Sequence, residues 1–253
     1  MTSAALAGVF RSLRLYHGPD APRAAMDELY RQFVKPGDLA LDIGAHAGDR
    51  ISSFRRLGAR VIALEPQPKM LRALRLIHGH DENVRILPSA ASAALGWVTL
   101  HVNSANPTVS TASRTFIADA DGKAGWEGQT WDSEIRVPAV TLDRLIAAHG
   151  IPAFIKIDVE GYEDQVLMGL KTAVPALSFE FTTIAREVAL RSLARLESLG
   201  DYEFNASFGE NQTLTLSPWV NAKSMTEFIL GLSHEENSGD CYARLAGLGY
   251  TAT

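Results

Sequence analysis

The sequence predicts an α/β domain: a mostly parallel sheet with helices wound onto both faces. Short apolar runs bounded by turn signals, amphipathic segments of helical period between them, and the regular alternation of the two along the chain carry that expectation.

With 253 residues and 46% hydrophobic content, the chain can bury one large core, so a single domain over 1–253 is expected. It divides into a helical segment at 1–35, a core at 36–220 with an inserted loop at about 103–136, and a tail at 221–253.

The elements follow in order. Leu6, Val9, Phe10 and Leu13 stand at helical spacing and predict a short packing helix. Lys35-Pro36-Gly37-Asp38 is a turn signal, and LALDI (39–43) after it reads as a buried strand. An amphipathic helix from Asp49 to Leu57 ends at Gly58, and RVIAL (60–64) is the next strand. A second helix, Lys69 to Ile77, is closed by His78-Gly79-His80 and followed by the strand VRIL (84–87). GWVTLHV (96–102) alternates like an edge strand or hairpin arm. Residues 103–136 are polar and without clear period, as expected of a functional lid or mobile loop. Then come AFIKID (153–158), a helix from Tyr162 to about Lys171, ALSFEFT (176–182) and a long helix to Leu199. YEFNAS (202–207) and TLTL (213–216) suit an antiparallel hairpin on the sheet edge.

Composition narrows the function. A net charge of -5 with no local Lys/Arg run offers no field for phosphates, so nucleic acid is not an expected partner. No stretch approaches the roughly 20 apolar residues of a membrane span. Cys241, the only cysteine, allows no internal disulfide and reads as a packed small residue. The opening stretch lacks the positive cluster of a secretory signal, and a cytoplasmic protein is expected.

The first chemical signal is DIGAHAGDR (42–50). Gly44 and Gly48, directly after a strand, let the backbone turn sharply and let a ligand approach the next helix. Asp42 decides which ligand. An acid at that strand end would repel the pyrophosphate of a dinucleotide, whereas S-adenosyl-L-methionine has no phosphate and carries a cationic amine and a sulfonium. Glu65, closing the second strand in ALEPQP, is placed to accept both hydroxyls of an adenosine ribose.

With these residues the chain resembles the class I S-adenosylmethionine-dependent methyltransferases, and more narrowly the FkbM-type O-methyltransferases. The narrower resemblance rests on DIGAHAG, EPQP, NVRILPSAASAALGWVTLHV, and VPAVTLDRLI followed by IKIDVEGYEDQVLMGL. It covers roughly 36–220 and implies a doubly wound, Rossmann-like sheet of seven strands with the last antiparallel. The chain departs from it at His46, where the family usually has Asn, so the contact expected near the methionine end falls to an imidazole or is lost.

In that topology the strand order reverses between LALDI and the strand carrying IKID, and ligands bind at the C-terminal ends there. Asp42 and Asp158 are expected to flank the crevice, with Glu160 one step out and Lys156 deeper, paired with Asp158 or Glu180. Asp158 or Glu160 is the candidate general base for a hydroxyl acceptor, and Lys156 either tunes it or is a structural ion pair. Asp158 with Glu180 is alternatively a ligand pair for Mg²⁺, which nothing in the spacing demands. Pro66, Ser89 and Ala90 are expected beside the adenosine; the insertion with Thr108, Ser110, Thr111 and Ser113 resembles the family's variable substrate-facing region, and Glu180 is a further candidate for contact with the substrate. Trp126 and Trp131 either wall off an acceptor ring or pack their own loop. His78, His80, His101, His149 and His234 show no metal-ligand spacing.

The expected activity is methyl transfer to a hydroxyl of a small natural product or saccharide. A NAD-dependent oxidoreductase on a similar sheet and a catalytically silent binding module are the rival readings; the sequence does not specify the acceptor or the oligomeric state.

Overall fold

The computed structural model describes residues 3–18 and 23–248. In chain order the elements are α1 (Ser3–His17), α2 (Arg23–Arg31), β1 (Leu39–Ile43), α3 (Asp49–Arg56), β2 (Arg60–Leu64), α4 (Pro68–His78), β3 (Val84–Leu87), β4 (Ala90–Ala91) and β5 (Gly96–Val102). A 3-10 turn at Pro107–Val109 precedes α5 (Arg114–Ala120), β6 (Ser133–Val140), α6 (Leu142–His149), β7 (Phe154–Ile157), α7 (Glu163–Met168), β8 (Ala176–Thr182) and α8 (Arg186–Leu199). β9 (Tyr202–Phe208), α9 (Ala222–Gly231) and β10 (Ser238–Leu245) follow.

Seven strands form the main sheet in the order β3-β2-β1-β7-β8-β10-β9. All neighbours are parallel except that β10 runs antiparallel to both β8 and β9. The chain leaves β1 toward β2 on one side and returns through β7 on the other, which opens the crevice between β1 and β7.

Period-two alternation divides the core between the faces. Leu39, Leu41 and Ile43 pack with Ile155, Ile157, Leu167 and Leu193 under α6, α7 and α8, whereas Ala40 lies among Tyr30, Ile51, Phe54 and Phe154 under α2 and α3. Because both faces are covered, β1 and β7 are buried at every position, and Asp42 and Lys156 are the charged residues within their otherwise apolar runs.

Two expectations are corrected. TLTL (213–216) is not a strand: Thr215 N–H donates to the Ala206 carbonyl and Leu216 N–H to Asn205, so the segment lies alongside β9 without joining the ladder. The antiparallel strand is β10, from the stretch read as a tail, and it inserts between β8 and β9. Gly239, Asp240 and Arg244 interrupt its apolar pattern and hid it.

The inserted segment is folded. β5 pairs antiparallel with β6 along its whole length, and β4 joins β6 in parallel, giving a second sheet of order β4-β6-β5. Val109, Phe116, Ala120 and Trp126 form a small cluster with Ala185. Trp126 donates to Asn237 Oδ1 at 3.1 Å and Trp131 to the Val109 carbonyl at 2.8 Å, so both rings pack their own loop down. Of the N-terminal stripe, Val9 is buried while Leu6 and Phe10 are exposed. Cys241 is buried in β10. Among the described residues no helix is long and apolar enough to cross a membrane.

Candidate active site

The ends of β1, β2 and β7 meet over the turn that follows β1. Gly44 N–H and Ala45 N–H both donate to the Leu64 carbonyl, which folds the turn back against β2. Gly44 has φ +85°, and a Cβ there would stand 1.8 Å from the Asp158 carbonyl oxygen. Only glycine lets the two strand ends approach this closely. Gly48 caps α3 at φ +83°, against the side chains of Leu74 and His78.

Asp42 is 1% exposed, and its Oδ2 is buried with no hydrogen-bond partner. Burial, with Asp49 and Asp158 nearby, pushes its carboxyl up to about 7 although Arg50 and Lys156 pull the other way. An orphaned, high-energy carboxylate at this point is what a cationic ligand group would satisfy. Glu65 is equally buried, and its two oxygens accept from His46 N–H at 2.9 Å and Gln67 N–H at 2.7 Å. Those bonds fix its orientation; burial still raises its carboxyl to about 7.

His46 sits at φ 42°, with Nε2 3.2 Å from Ser12 Oγ and 3.5 Å from Thr108 Oγ1, and Tyr16 edge-on at 5.5 Å. Burial lowers its pKa to about 4, so the imidazole is neutral at pH 7.

Two cavities of about 50 Å³ each share Gly44, His46, Thr108 and Asp158. Glu65, Pro66, Ser89 and Ala90 line one; Asp42, Asp49, Arg50 and Lys156 line the other. The candidate adenosine residues are thus brought together on one side of His46 and the charged residues on the other. Ser110 does not face either cavity: its hydroxyl is buried, donating to Gln67 Oε1 at 3.1 Å and accepting from Asn103 N–H. Gln67 also donates to the Pro107 carbonyl at 3.0 Å, which seats the insertion on the loop after β2.

Lys156 opposes Asp42 on β1 and Ser178 on β8 and is 1% exposed. Its ammonium donates to Asp158 Oδ2 at 3.1 Å and to Asp240 Oδ1 at 2.7 Å. Asp240 therefore takes the place expected for Glu180; it lies on β10, 84 residues away, opposite Glu180 in the register. Burial would raise the Asp158 carboxyl, but the Lys156 and Arg50 charges outweigh it and hold the group below the ordinary carboxylate range. Its side chain keeps 36% exposure toward the cleft.

The turn after β7 is braced by Glu163, which sequence reasoning passed over, and by Thr111, which was expected to face the substrate. Glu160 has φ 57°, and Thr111 Oγ donates to its carbonyl at 2.6 Å. Glu163 Oε1 accepts from Val159 N–H at 3.1 Å and Gly161 N–H at 3.3 Å. The spacing of Glu163, two residues after a glycine and at a helix start, was a usable signal for this cap; no local signal announced that Thr111 would bond the Glu160 carbonyl.

An FkbM methyltransferase domain matches residues 42–210. This chain belongs to the FkbM methyltransferase family. Curated proteins yield no significant match. Among solved structures, the chain is similar to a precorrin-6y C5,15-methyltransferase from Geobacter metallireducens (TM-score 0.47, 12% identity, 88% of this chain and 86% of that one). It is also similar to a TehB-like S-adenosylmethionine-dependent methyltransferase from Corynebacterium glutamicum (0.46, 11%, 93% and 94%). An O-methyltransferase from Bacillus cereus in complex with S-adenosylhomocysteine gives 0.45 and 11%, with 97% and 92% covered.

Proposed function

We propose that this protein transfers the methyl group of S-adenosyl-L-methionine to a hydroxyl of a small natural product or saccharide. The observation that carries the reading is the orphaned Asp42 carboxylate beside the Gly44 turn, with the oriented Glu65 carboxylate on the far side of it. The donor's ribose hydroxyls fit Glu65, its adenine the edge formed by Pro66, Ser89 and Ala90, and its amine Asp42. The same acid disfavours a dinucleotide pyrophosphate.

The reaction is an in-line displacement, so alignment and exclusion of water supply most of the catalysis. The acceptor oxygen forms a bond to the methyl carbon as the carbon–sulfur bond breaks, and the electron pair leaves on sulfur. As that bond forms the hydroxyl proton becomes strongly acidic, so an ionised, cleft-facing Asp158 suffices to receive it. Lys156 keeps Asp158 ionised and in place, and acts as a positioning residue. A cavity of about 720 Å³, lined by Arg14, Tyr16, Asp49, Arg56 and Glu210 among others, adjoins the charged cavity through Tyr16, Asp49 and Glu210. That volume suits an acceptor of this size.

The test is methyl transfer to a panel of hydroxylated acceptors, followed by S-adenosylhomocysteine release. Asp158→Asn is expected to lower turnover on the order of 100-fold while leaving product affinity within about threefold. Unchanged turnover removes Asp158 from the mechanism, and transfer confined to nitrogen or carbon acceptors overturns the hydroxyl assignment.

A further inference from the structure

We infer that Asp158, Glu160 and Glu180 form a site for a divalent cation, Mg²⁺ or Mn²⁺, at the C-terminal ends of β7 and β8. The inference rests on the methyltransferase reading and adds a group which that reading does not require.

Each of the three residues brings one carboxylate oxygen to within 4.8 Å of the others. Oxygens on one coordination sphere of radius about 2.0–2.4 Å are separated by no more than about 4–5 Å, so the spread fits a single ion. An all-oxygen, acidic ligand set selects a hard cation.

Acidic groups cluster without an ion in many proteins, and what distinguishes this cluster is how its oxygens are left. Glu180 Oε2 is fully buried and receives no hydrogen bond. Glu160 is 6% exposed, and no described residue donates to its carboxylate. Lys156 supplies the neighbouring positive charge, but it is already shared between Asp158 and Asp240. Glu160 and the buried Oε2 of Glu180 thus lack any donor while Asp158 opens to the cleft, an arrangement that costs several kcal/mol unless a cation or protons complete it. The backbone is built to aim the group inward: Thr111 and Glu163 hold the turn that carries Glu160.

A cation held by buried Glu160, half-buried Glu180 and cleft-facing Asp158 keeps coordination positions open on the cleft side. An acceptor hydroxyl bound there loses its proton more readily. The bond changes are those of the methyl transfer above, and the proton passes to Asp158.

Chelator-treated protein titrated with Mn²⁺ at pH 7.5, with the free ion followed by electron paramagnetic resonance, tests the inference. One saturable site per chain with a Kd below about 1 mM is expected, competed by Mg²⁺. Glu160→Gln and Glu180→Gln should each weaken it at least tenfold, while S-adenosylhomocysteine affinity stays within about threefold. Should either of these variants fail to fold by circular dichroism, Asp158→Asn, altered at the cleft surface, makes the same comparison. No saturable binding to the wild type, or binding unaltered in the folded variants, overturns the cation site; loss of donor binding in the wild type would instead overturn the reading beneath it.

Discussion

Asp42 shows how a single residue is positioned at the expense of stability. Burial first, then Asp49 and Asp158, lift its carboxyl from 3.8 to about 7. The folded chain therefore holds a proton that the unfolded chain releases, and the resulting stability is complete below about pH 4 and lost as pH rises through 7. Asp42→Asn removes that dependence. The unliganded variant should be more stable than wild type at pH 8 by roughly 1–3 kcal/mol, with a flatter melting profile between pH 5 and 8. It should also bind S-adenosylhomocysteine at least tenfold more weakly; parallel melting profiles would contradict the assignment. Glu65 differs in that both its oxygens are already used by backbone amides. Glu65→Gln places an NH₂ against one of those amides, and an affinity loss of about 30-fold, on the order of 2 kcal/mol, is expected by calorimetry. These acids were legible in the sequence because each stands directly after an apolar run. Asp240 was not, since nothing local announces that it will meet Lys156 across β8.

The turns at the strand ends are the elements that make the site possible. An added Cβ at Gly44 meets backbone, 1.8 Å from the Asp158 carbonyl, whereas at Gly48 it meets the side chains of Leu74 and His78. Backbone cannot step aside, so Gly44→Ala should destabilise by more than about 3 kcal/mol and Gly48→Ala by less. Thermal melts of the two variants check the order. The central strands were readable as short, mostly apolar runs, and the amphipathic helices between them by their period. The insertion was not readable. Its helix α5 has seven residues, its strand β6 pairs with a partner more than thirty residues away, and its docking depends on Gln67, Ser110 and Thr111 in contacts without sequence period.

At the scale of the whole molecule, the family match ends at residue 210, yet the sheet is completed by β10 at Ser238–Leu245. That strand covers the edges of β8 and β9, buries Cys241, Tyr242 and Ala243, and supplies the second partner of Lys156. A chain ending at Val220 would expose both edges and strand a buried ammonium, so it should be insoluble or unfolded by circular dichroism. A folded truncated chain would show that β10 is dispensable. The parallel order on either side of β1, and the crevice it opens, followed from the β-α alternation; the antiparallel strand fell outside that rhythm. The most direct test of the central claim is isothermal titration of the purified protein with S-adenosylhomocysteine, with NAD and NADH as parallel titrants. Micromolar binding of S-adenosylhomocysteine with no binding of either dinucleotide is the predicted result, and binding of a dinucleotide alone would contradict the account built on Asp42.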